Sequence, residues 1–451
     1  MKNKLIIVAL AGTLFCSCGA YRKYQPVTEV PDNLYGAENV CGDTSSIADL
    51  GWREFFTDSL LRDLIDTALV RNTDYQSALL RTEQAMVSLG AARLAYFPSV
   101  SIGAEGAIAR YDGLTSKTYN IGVNASWEVD IFGRLTAAKR GAAAAAVSTS
   151  EQAAAVRTQL IATVAKSYYS LVMLDRQIEI ADTTLRNWTE SIRVMELLKA
   201  AGRANEPGIL QAKANRSALE ADVVTMKKSR KEIENSLCAI LGKAPGDIRR
   251  GNMDNIVFPS SHSVGLPVQL LANRPDVRSA EMELARTHYA VGEARASFYP
   301  SLTLSGTVGF TNNGGIIANP GHWLLNAVGQ LVQPLFNRGR LRANYQIAES
   351  EHEIALLKFS QSLIDAGREV NNALNEISSA RDRLKYVREQ AGLLEDAVAK
   401  TELLMRHSPT NYLEVLTAQQ SLLAARQSEV QCRYDEIAGI ITLYNALGGG
   451  R

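Results

Sequence analysis

The chain has 451 residues, with 48 Lys and Arg against 47 Asp and Glu, so it offers neither a basic field for nucleic acid nor an acidic tail. A length of this order usually divides into two or three domains. Its five histidines are scattered, and it contains no His-Glu-x-x-His, no G-x-S-x-G, no phosphate-binding loop and no C-x-x-C pair. Nothing in it points to catalysis, a resident metal or a cofactor.

The N-terminus reads as a targeting segment. Lys2 and Lys4 precede Leu5–Phe15, an apolar run too short to span a bilayer as a helix. The run ends in Phe15-Cys16-Ser17-Cys18-Gly19, with small Ser17 directly before Cys18 and bulky Phe15 before Cys16. This is the pattern of a lipoprotein signal over residues 1–17, cleaved before an acylated Cys18. An ordinary signal peptide with incidental cysteines is the alternative. Acylation would anchor the N-terminus, since each buried lipid CH₂ contributes about 0.8 kcal/mol. Residues 18–58 then form a lipid-anchored extension. Cys41, Cys238 and Cys432 remain, and three thiols cannot all pair within one chain; Cys238, in an apolar helical stretch, reads as a buried structural thiol. No later segment is apolar enough for a membrane helix, so any crossing must be made by strands.

The rest of the chain repeats itself. Leu64–Ser99 overlays Leu266–Ser301 without a gap, matching Asp74 with Asp276, Gly90 with Gly292, Arg93 with Arg295 and Pro98-Ser99 with Pro300-Ser301. A later block matches Leu210 with Leu416 and Leu241-Gly242 with Leu447-Gly448. Two copies at long spacing indicate duplication of a whole unit. Each half reads as helix, two strands, long helix, helix. A helix from about Ser59 to Tyr96, within 59–98, stops at Pro98. Strands are predicted at 99–110 and 118–131: Tyr119, Ile121, Val123, Ala125, Trp127 and Val129 alternate with polar residues, the period of a strand with one apolar face. Tyr111–Lys117, with its Asp-Gly pair, is predicted as the connecting loop. The second half repeats the plan with strands at 301–311 and 323–334. Ala142–Ala201 contains no Gly or Pro and would run roughly 90 Å as one helix; Leu341–Ser408 is its counterpart. Further helices begin after breaks near Gly202–Gly208 and Ser408–Pro409. The Ala richness of these helices lets their backbones approach closely.

The fold class predicted from the residues is a membrane protein of α+β type: long helices that suit coiled coils or an extended tube, plus a β-barrel contributed by four strands per protomer. Strands of about 10 residues suit an outer-membrane barrel. Phe97, Trp127, Phe298, Tyr299 and Trp323 are assigned to its interfacial girdle at the helix–strand junctions. A soluble hairpin packed on a helix is the competing reading of the strands alone. Four strands cannot close a barrel with an open lumen, and open edges cannot face lipid. The barrel must therefore be shared between chains, and two, three or four copies would all close it.

The whole mature chain resembles the TolC/OprM-type outer-membrane efflux proteins, and among them the NodT-like lipoproteins of resistance-nodulation-division systems. The resemblance rests on Gly51-Trp52-Arg53-Glu54-Phe55-Phe56-Thr57-Asp58, Leu64-Ile65-Asp66-Thr67-Ala68-Leu69, Phe97-Pro98-Ser99 and Asp130-Ile131-Phe132-Gly133-Arg134. It rests equally on Leu271-Ala272-Asn273-Arg274-Pro275-Asp276, Phe298-Tyr299-Pro300-Ser301, Pro334-Leu335-Phe336-Asn337-Arg338-Gly339, Asn411-Tyr412-Leu413-Glu414-Val415-Leu416 and Ala446-Leu447-Gly448-Gly449-Gly450. It implies a homotrimer with a twelve-stranded barrel in the outer membrane and an all-α periplasmic helical barrel of long coiled-coil helices, docked to a periplasmic adaptor and an inner-membrane pump as the exit duct for drugs or other small molecules. On that plan outer-membrane strands lie at 99–131 and 301–335 and periplasmic helices at 59–98, 132–300 and 336–451, the last including an equatorial C-terminus. A channel for type I protein secretion and a purely structural coiled-coil lipoprotein are the competing functions.

The family's periplasmic gate carries acidic residues near the helix–helix turns. Position by position, its acids fall on Glu414, Thr417 and Gly208, and its basic partner on Thr410, with Glu206 and Arg406 nearby. Only Glu414 keeps the charge. The expected gate set is Glu414, Thr410, Thr417 and Glu206, with Glu414 forming a ring with its symmetry mates; the plain alternative is a solvated helix-start Glu.

Overall fold

The computed structural model describes residues 23–26, 46–202, 205–256, 258, 273–312, 322–407 and 412–450. Cys18 and Thr410 lie outside them. The described elements are α1 (Trp52–Phe55), α2 (Ser59–Arg71), α3 (Thr73–Leu94), β1 (Ser99–Tyr111), β2 (Leu114–Val129), α4 (Arg134–Ala200) and α5 (Glu206–Ile240), then α6 (Pro275–Ala296), β3 (Ser301–Thr311), β4 (His322–Val332), α7 (Arg340–His407) and α8 (Tyr412–Ala446). Helices α4 and α7 have 67 and 68 residues, against an average of about 11–12 in globular proteins. No described helix is long and apolar enough to cross a membrane.

The structure sharpens two sequence boundaries. The helix expected from Ser59 through Tyr96 is broken at Asn72, whose backbone is extended. Its side chain supplies the reason: Oδ1 accepts from Tyr75 N at 3.0 Å, capping α3, while Nδ2 donates to Ile240 O at 3.0 Å, the last carbonyl of α5. The loop expected at Tyr111–Lys117 shrinks to Asp112-Gly113, both with positive φ. That geometry matches the twist of flanking strands, so β2 starts at Leu114 and the hairpin pairs out to Tyr111↔Leu114.

The chain forms two compact units. The first (Met1–Thr28, Leu79–Gln152 and Arg278–Ser362) holds the sheet, antiparallel throughout in the order β1-β2-β3-β4. Beside it, α4 packs on α6 through small residues. Ala137 is fully buried, and a side chain at Gly292 would rest against its Cβ. The buried Ser148 and Ser279 hydroxyls meet at 3.0 Å. This is the close approach expected of an Ala-rich helix.

The second unit (Glu29–Ala78, Ala153–Val277 and Leu363–Arg451) is built around aromatic residues. The Phe55 ring stacks on Tyr444 at 3.9 Å, and Phe56 and Tyr169 pack edge-on against Phe258. Burying each such side chain contributes about 1.5–3 kcal/mol. Tyr168 donates to Asp58 and accepts from Gly251 N, so one hydroxyl ties three segments together. Burial, then the bonded Asp58 carboxylate, pushes the Tyr168 hydroxyl pKa up.

The duplication is visible in the joints of this unit. Helix α5 ends with Lys243 N donating to Cys238 O, and α8 ends with Gly449 N donating to Tyr444 O. Gly242 and Gly448 at these ends have φ +61° and +87°. A Cβ there would lie 2.9 Å from Arg71 O and 2.3 Å from Asn273 O respectively, so each helix end is seated on the chain turn that precedes α3 or α6. Beside the second seat, Arg274 does what Asn72 does beside the first. Its Nη1 donates to Ala446 O at 2.9 Å and meets Glu369 at 2.8 Å, while Nε and Nη2 hold Asp276 at 3.0 and 2.5 Å. Burial alone would raise the Asp276 pKa, but the Arg274 guanidinium outweighs it and holds the carboxyl below its usual range.

Candidate functional site

The sheet divides the strand residues between two faces, because successive side chains point oppositely. One row across all four strands is Ile102, Val123, Val308 and Leu325, and the next on that face is Ala104, Ile121, Phe310 and Trp323. On the other face the matching row is Ser101, Asn124, Thr307 and Asn326, where Thr307 Oγ1 donates to Asn124 Oδ1 at 2.7 Å. The apolar face is left uncovered among the described residues: Ile102 is 80 % exposed, Leu325 71 % and Trp323 66 %. An apolar band of this extent marks a surface that meets lipid or another protein. The strands, at 13, 16, 11 and 11 residues, are long enough to cross a bilayer tilted, which takes about 9–11 residues. Among the described strands β1 and β4 are both edges.

The aromatic residues assigned to the girdle fall into two groups. Phe97, Trp127, Phe298 and Tyr299 lie at the helix end of the sheet. Trp127 Nε1 donates to Tyr96 O at 2.8 Å, Tyr299 stacks on Phe132 at 4.9 Å and Phe298 meets Tyr345 edge-on. Trp323 does not belong to that junction. Strand β4 begins at the loop end, and Trp323 sits edge-on to Phe310 there, 5.8 Å away. The sheet therefore carries aromatic rings at both ends.

The helix-end junction also accounts for Asp130-Ile131-Phe132-Gly133-Arg134. Asp130 accepts from Leu135 N at 3.0 Å, Thr136 N at 2.8 Å and Thr136 Oγ1 at 2.6 Å, capping α4. Arg134 forks onto Glu128 at 2.9 and 2.6 Å, fastening the first helical residue to the end of β2.

Of the expected gate residues, Glu206 and Glu414 lie on the first turns of α5 and α8 and Thr417 on the second turn of α8, while Thr410 lies outside the described residues. Asn205 accepts from Gly208 N and caps α5, with Glu206 in the first turn. Glu206 pairs with Lys199 at the end of α4, a partner that sequence reading missed because the turn between them closes the distance. Glu414 and Thr417 are both exposed on the first turns of α8. Between them Val415 and Leu416 are buried, and Leu416 joins Ile192, Met195, Ile209 and Ala212 in one apolar cluster. That cluster brings the α4–α5 turn region and the start of α8 together, so Glu206 and Glu414 belong to one end of the second unit.

A model of the outer membrane efflux protein family matches residues 64–243 and 266–449. The chain belongs to the outer membrane efflux protein family. The two matched stretches coincide with the two halves of the repeat. The chain is 30% identical to the cation efflux system protein CusC of Escherichia coli O6:H1, over 98% of this chain and 97% of that one. It is also 30% identical to the toluene efflux pump outer membrane protein TtgI of Pseudomonas putida, over 92% and 90%. The open-state outer-membrane channel MtrE of Neisseria gonorrhoeae superposes with a TM-score of 0.85 at 26% identity, covering 95% of this chain and 98% of that one. Family membership makes the chain an outer-membrane efflux channel, a transport conduit rather than an enzyme, facing the periplasm and working with an inner-membrane pump and adaptor.

Proposed function

We propose that three copies close their four-stranded sheets into one twelve-stranded barrel, with Ile102, Val123, Val308 and Leu325 toward lipid and Ser101, Asn124, Thr307 and Asn326 toward a lumen. The observation that carries this is the uncovered apolar face on a sheet with two open edges, since neither can persist beside lipid or water without partners. Strands at 99–131 and 301–335 then lie in the outer membrane, and helices at 59–98, 132–300 and 336–451 in the periplasm. Aromatic rings at both sheet ends suit the two membrane interfaces. Cys18 is the acylated mature N-terminus. The pump is of the resistance-nodulation-division type, as the NodT-like motifs imply. The cargo is small molecules or ions. Relatives at equal identity are named for cations and for toluene, so identity alone does not select between them.

The gate is Glu414, with Thr410, Thr417 and Glu206 around it. Three carboxylates near one axis repel by several kcal/mol at intermediate dielectric, and bound cations offset that cost. The test is single-channel conductance of the purified acylated trimer in planar bilayers. Expected are cation selectivity and block by divalent cations, both weakened by Glu414→Gln, and a shift toward anions with Glu414→Lys. Absence of conductance, or a mass other than three chains, overturns the barrel. Unchanged selectivity and block in both variants overturn the gate alone.

A further inference from the structure

A cavity of about 820 Å³ opens in the second unit between α4, α7 and α8, beside the turn at Met253–Asn255. It is the size of sites that take drug-like ligands, roughly 300–1,000 Å³. Among the described residues, two side chains lining it hold buried polar atoms with no hydrogen-bond partner, Trp188 Nε1 and Gln419 Oε1. Trp188 is 3 % exposed and Gln419 6 %. The carboxamide is oriented by its other atom, because Nε2 donates to Glu402 at 2.9 Å. Buried polar atoms are almost always bonded to something, and here one donor and one acceptor stand unused at a single cavity.

The charges around it are unevenly spent. Each of its four arginines already holds a carboxylate: Arg176 with Glu179 at 2.7 Å, Arg388 with Glu429 at 3.1 Å, Arg426 with Glu429 at 2.8 Å and with Glu395, and Arg433 with Glu436 at 2.6 Å. Asp254 and Glu402 also line the cavity, and neither has a basic partner among the described residues. An anion would meet two uncompensated carboxylates there. A bare metal ion would find no cluster of three or more ligating side chains among the described residues. An indole, two carboxylates and this much volume suit a flat, charge-delocalised cation.

We propose that this cavity binds an organic cation with a flat aromatic body, offering one hydrogen-bond acceptor to Trp188 Nε1 and one donor to Gln419 Oε1. It is a binding site in the second unit, distinct from the Glu414 gate. It is measured on the isolated protein without a pump, so its failure would leave the channel standing.

The probe is rhodamine 6G, a xanthene cation with N–H donors and an ester carbonyl, followed by fluorescence anisotropy on the detergent-solubilised protein. Fluorescein, an anion on the same ring frame, is the matched control. Rhodamine 6G should saturate at one site per chain, and the double variant Asp254→Asn with Glu402→Gln should weaken it about tenfold or more. Trp188→Phe keeps an aromatic ring but removes the N–H, and should weaken it less. Glu190→Gln, at an exposed carboxylate of α4 paired with Arg193 and not lining the cavity, should change nothing. Three results would each overturn the site: unchanged affinity in the double variant, fluorescein binding as tightly as rhodamine 6G, or an equal loss with Glu190→Gln. Both carboxylate replacements are at partly or fully exposed positions, and an unaltered unfolding midpoint separates lost binding from lost structure.

Discussion

Where α2 gives way to α3, a neutral carboxamide, Asn72, reaches the last carbonyl of α5; where α6 begins, a guanidinium, Arg274, reaches the last carbonyl of α8. The two joints are copies of one duplicated piece of chain. Both seat a left-handed glycine on a backbone carbonyl, and both supply one side-chain donor to a helix end. They differ in what else that donor must do. Asn72 spends its remaining atom capping α3 and carries no charge. Arg274 is buried, favours the negative end of α8, and must be neutralised by Asp276 and Glu369. The same geometry can thus be held by an amide with little at stake, or by a buried ion whose partners become hostages to it.

Arg274→Ala should cost most, about 2–4 kcal/mol in urea unfolding, because it removes a buried charged donor from a helix-end carbonyl and leaves two half-exposed carboxylates unpaired. Next come the glycines: Gly448→Ala and Gly242→Ala should each cost about 1–3 kcal/mol. Gly448 should be the worse, since its added Cβ meets backbone at 2.3 Å rather than 2.9 Å. Equal losses would show that the two seats are no longer distinct. The third effect is a pH dependence. The Asp276 carboxyl is held below the ordinary value of about 4. Its contribution is therefore full above that value and lost as pH falls through the lower, folded-state value. Acid unfolding curves should show this loss in the parent and in an Asn72 variant, but not in Arg274→Ala. Smallest is Asn72→Ala, about 1 kcal/mol. A cost matching that of Arg274→Ala would erase the contrast.

The elements that repeat a hydrophobic period were legible from the residues: the alternation in Thr118–Asp130 and the unbroken run through Ala142–Ala201 gave strand and helix with their C-terminal ends, while β2 begins earlier, at Leu114, and α4 begins earlier, at Arg134, running through Gly141. The break at Asn72 was not, because Ser59–Tyr96 keeps good helix formers throughout and the residue that ends the helix does so by reaching a carbonyl 168 positions away. Trp323 was placed at the wrong end of the sheet because an aromatic near a strand boundary does not say which boundary faces the helices. At the site, the position of Glu414 on a first turn could be read from the turn residues before it, whereas Glu206 was read as part of the break at Gly202–Gly208 and instead opens α5 beneath the Asn205 cap. The Lys199–Glu206 pair and the unpaired atoms of Trp188 and Gln419 could not, since both depend on side chains from separate segments.

The spacing of the two copies has a consequence for which length changes this chain tolerates. Helices α3 and α6 start and end 202 positions apart, whereas α4 and α7 begin 206 apart, and so do α5 and α8. All four extra residues entered between the start of the first strand and the start of the long helix. None was kept within a helix, where each added residue turns everything beyond it by about 100° and swings the small-residue stripe and the terminal glycine off their seats. A hairpin absorbs an added residue at its loop or at its exit. Peptide tags and reporter insertions should therefore survive in the hairpins and their exits, and single-residue deletions inside α4 or α7 should be lethal to folding even at exposed positions.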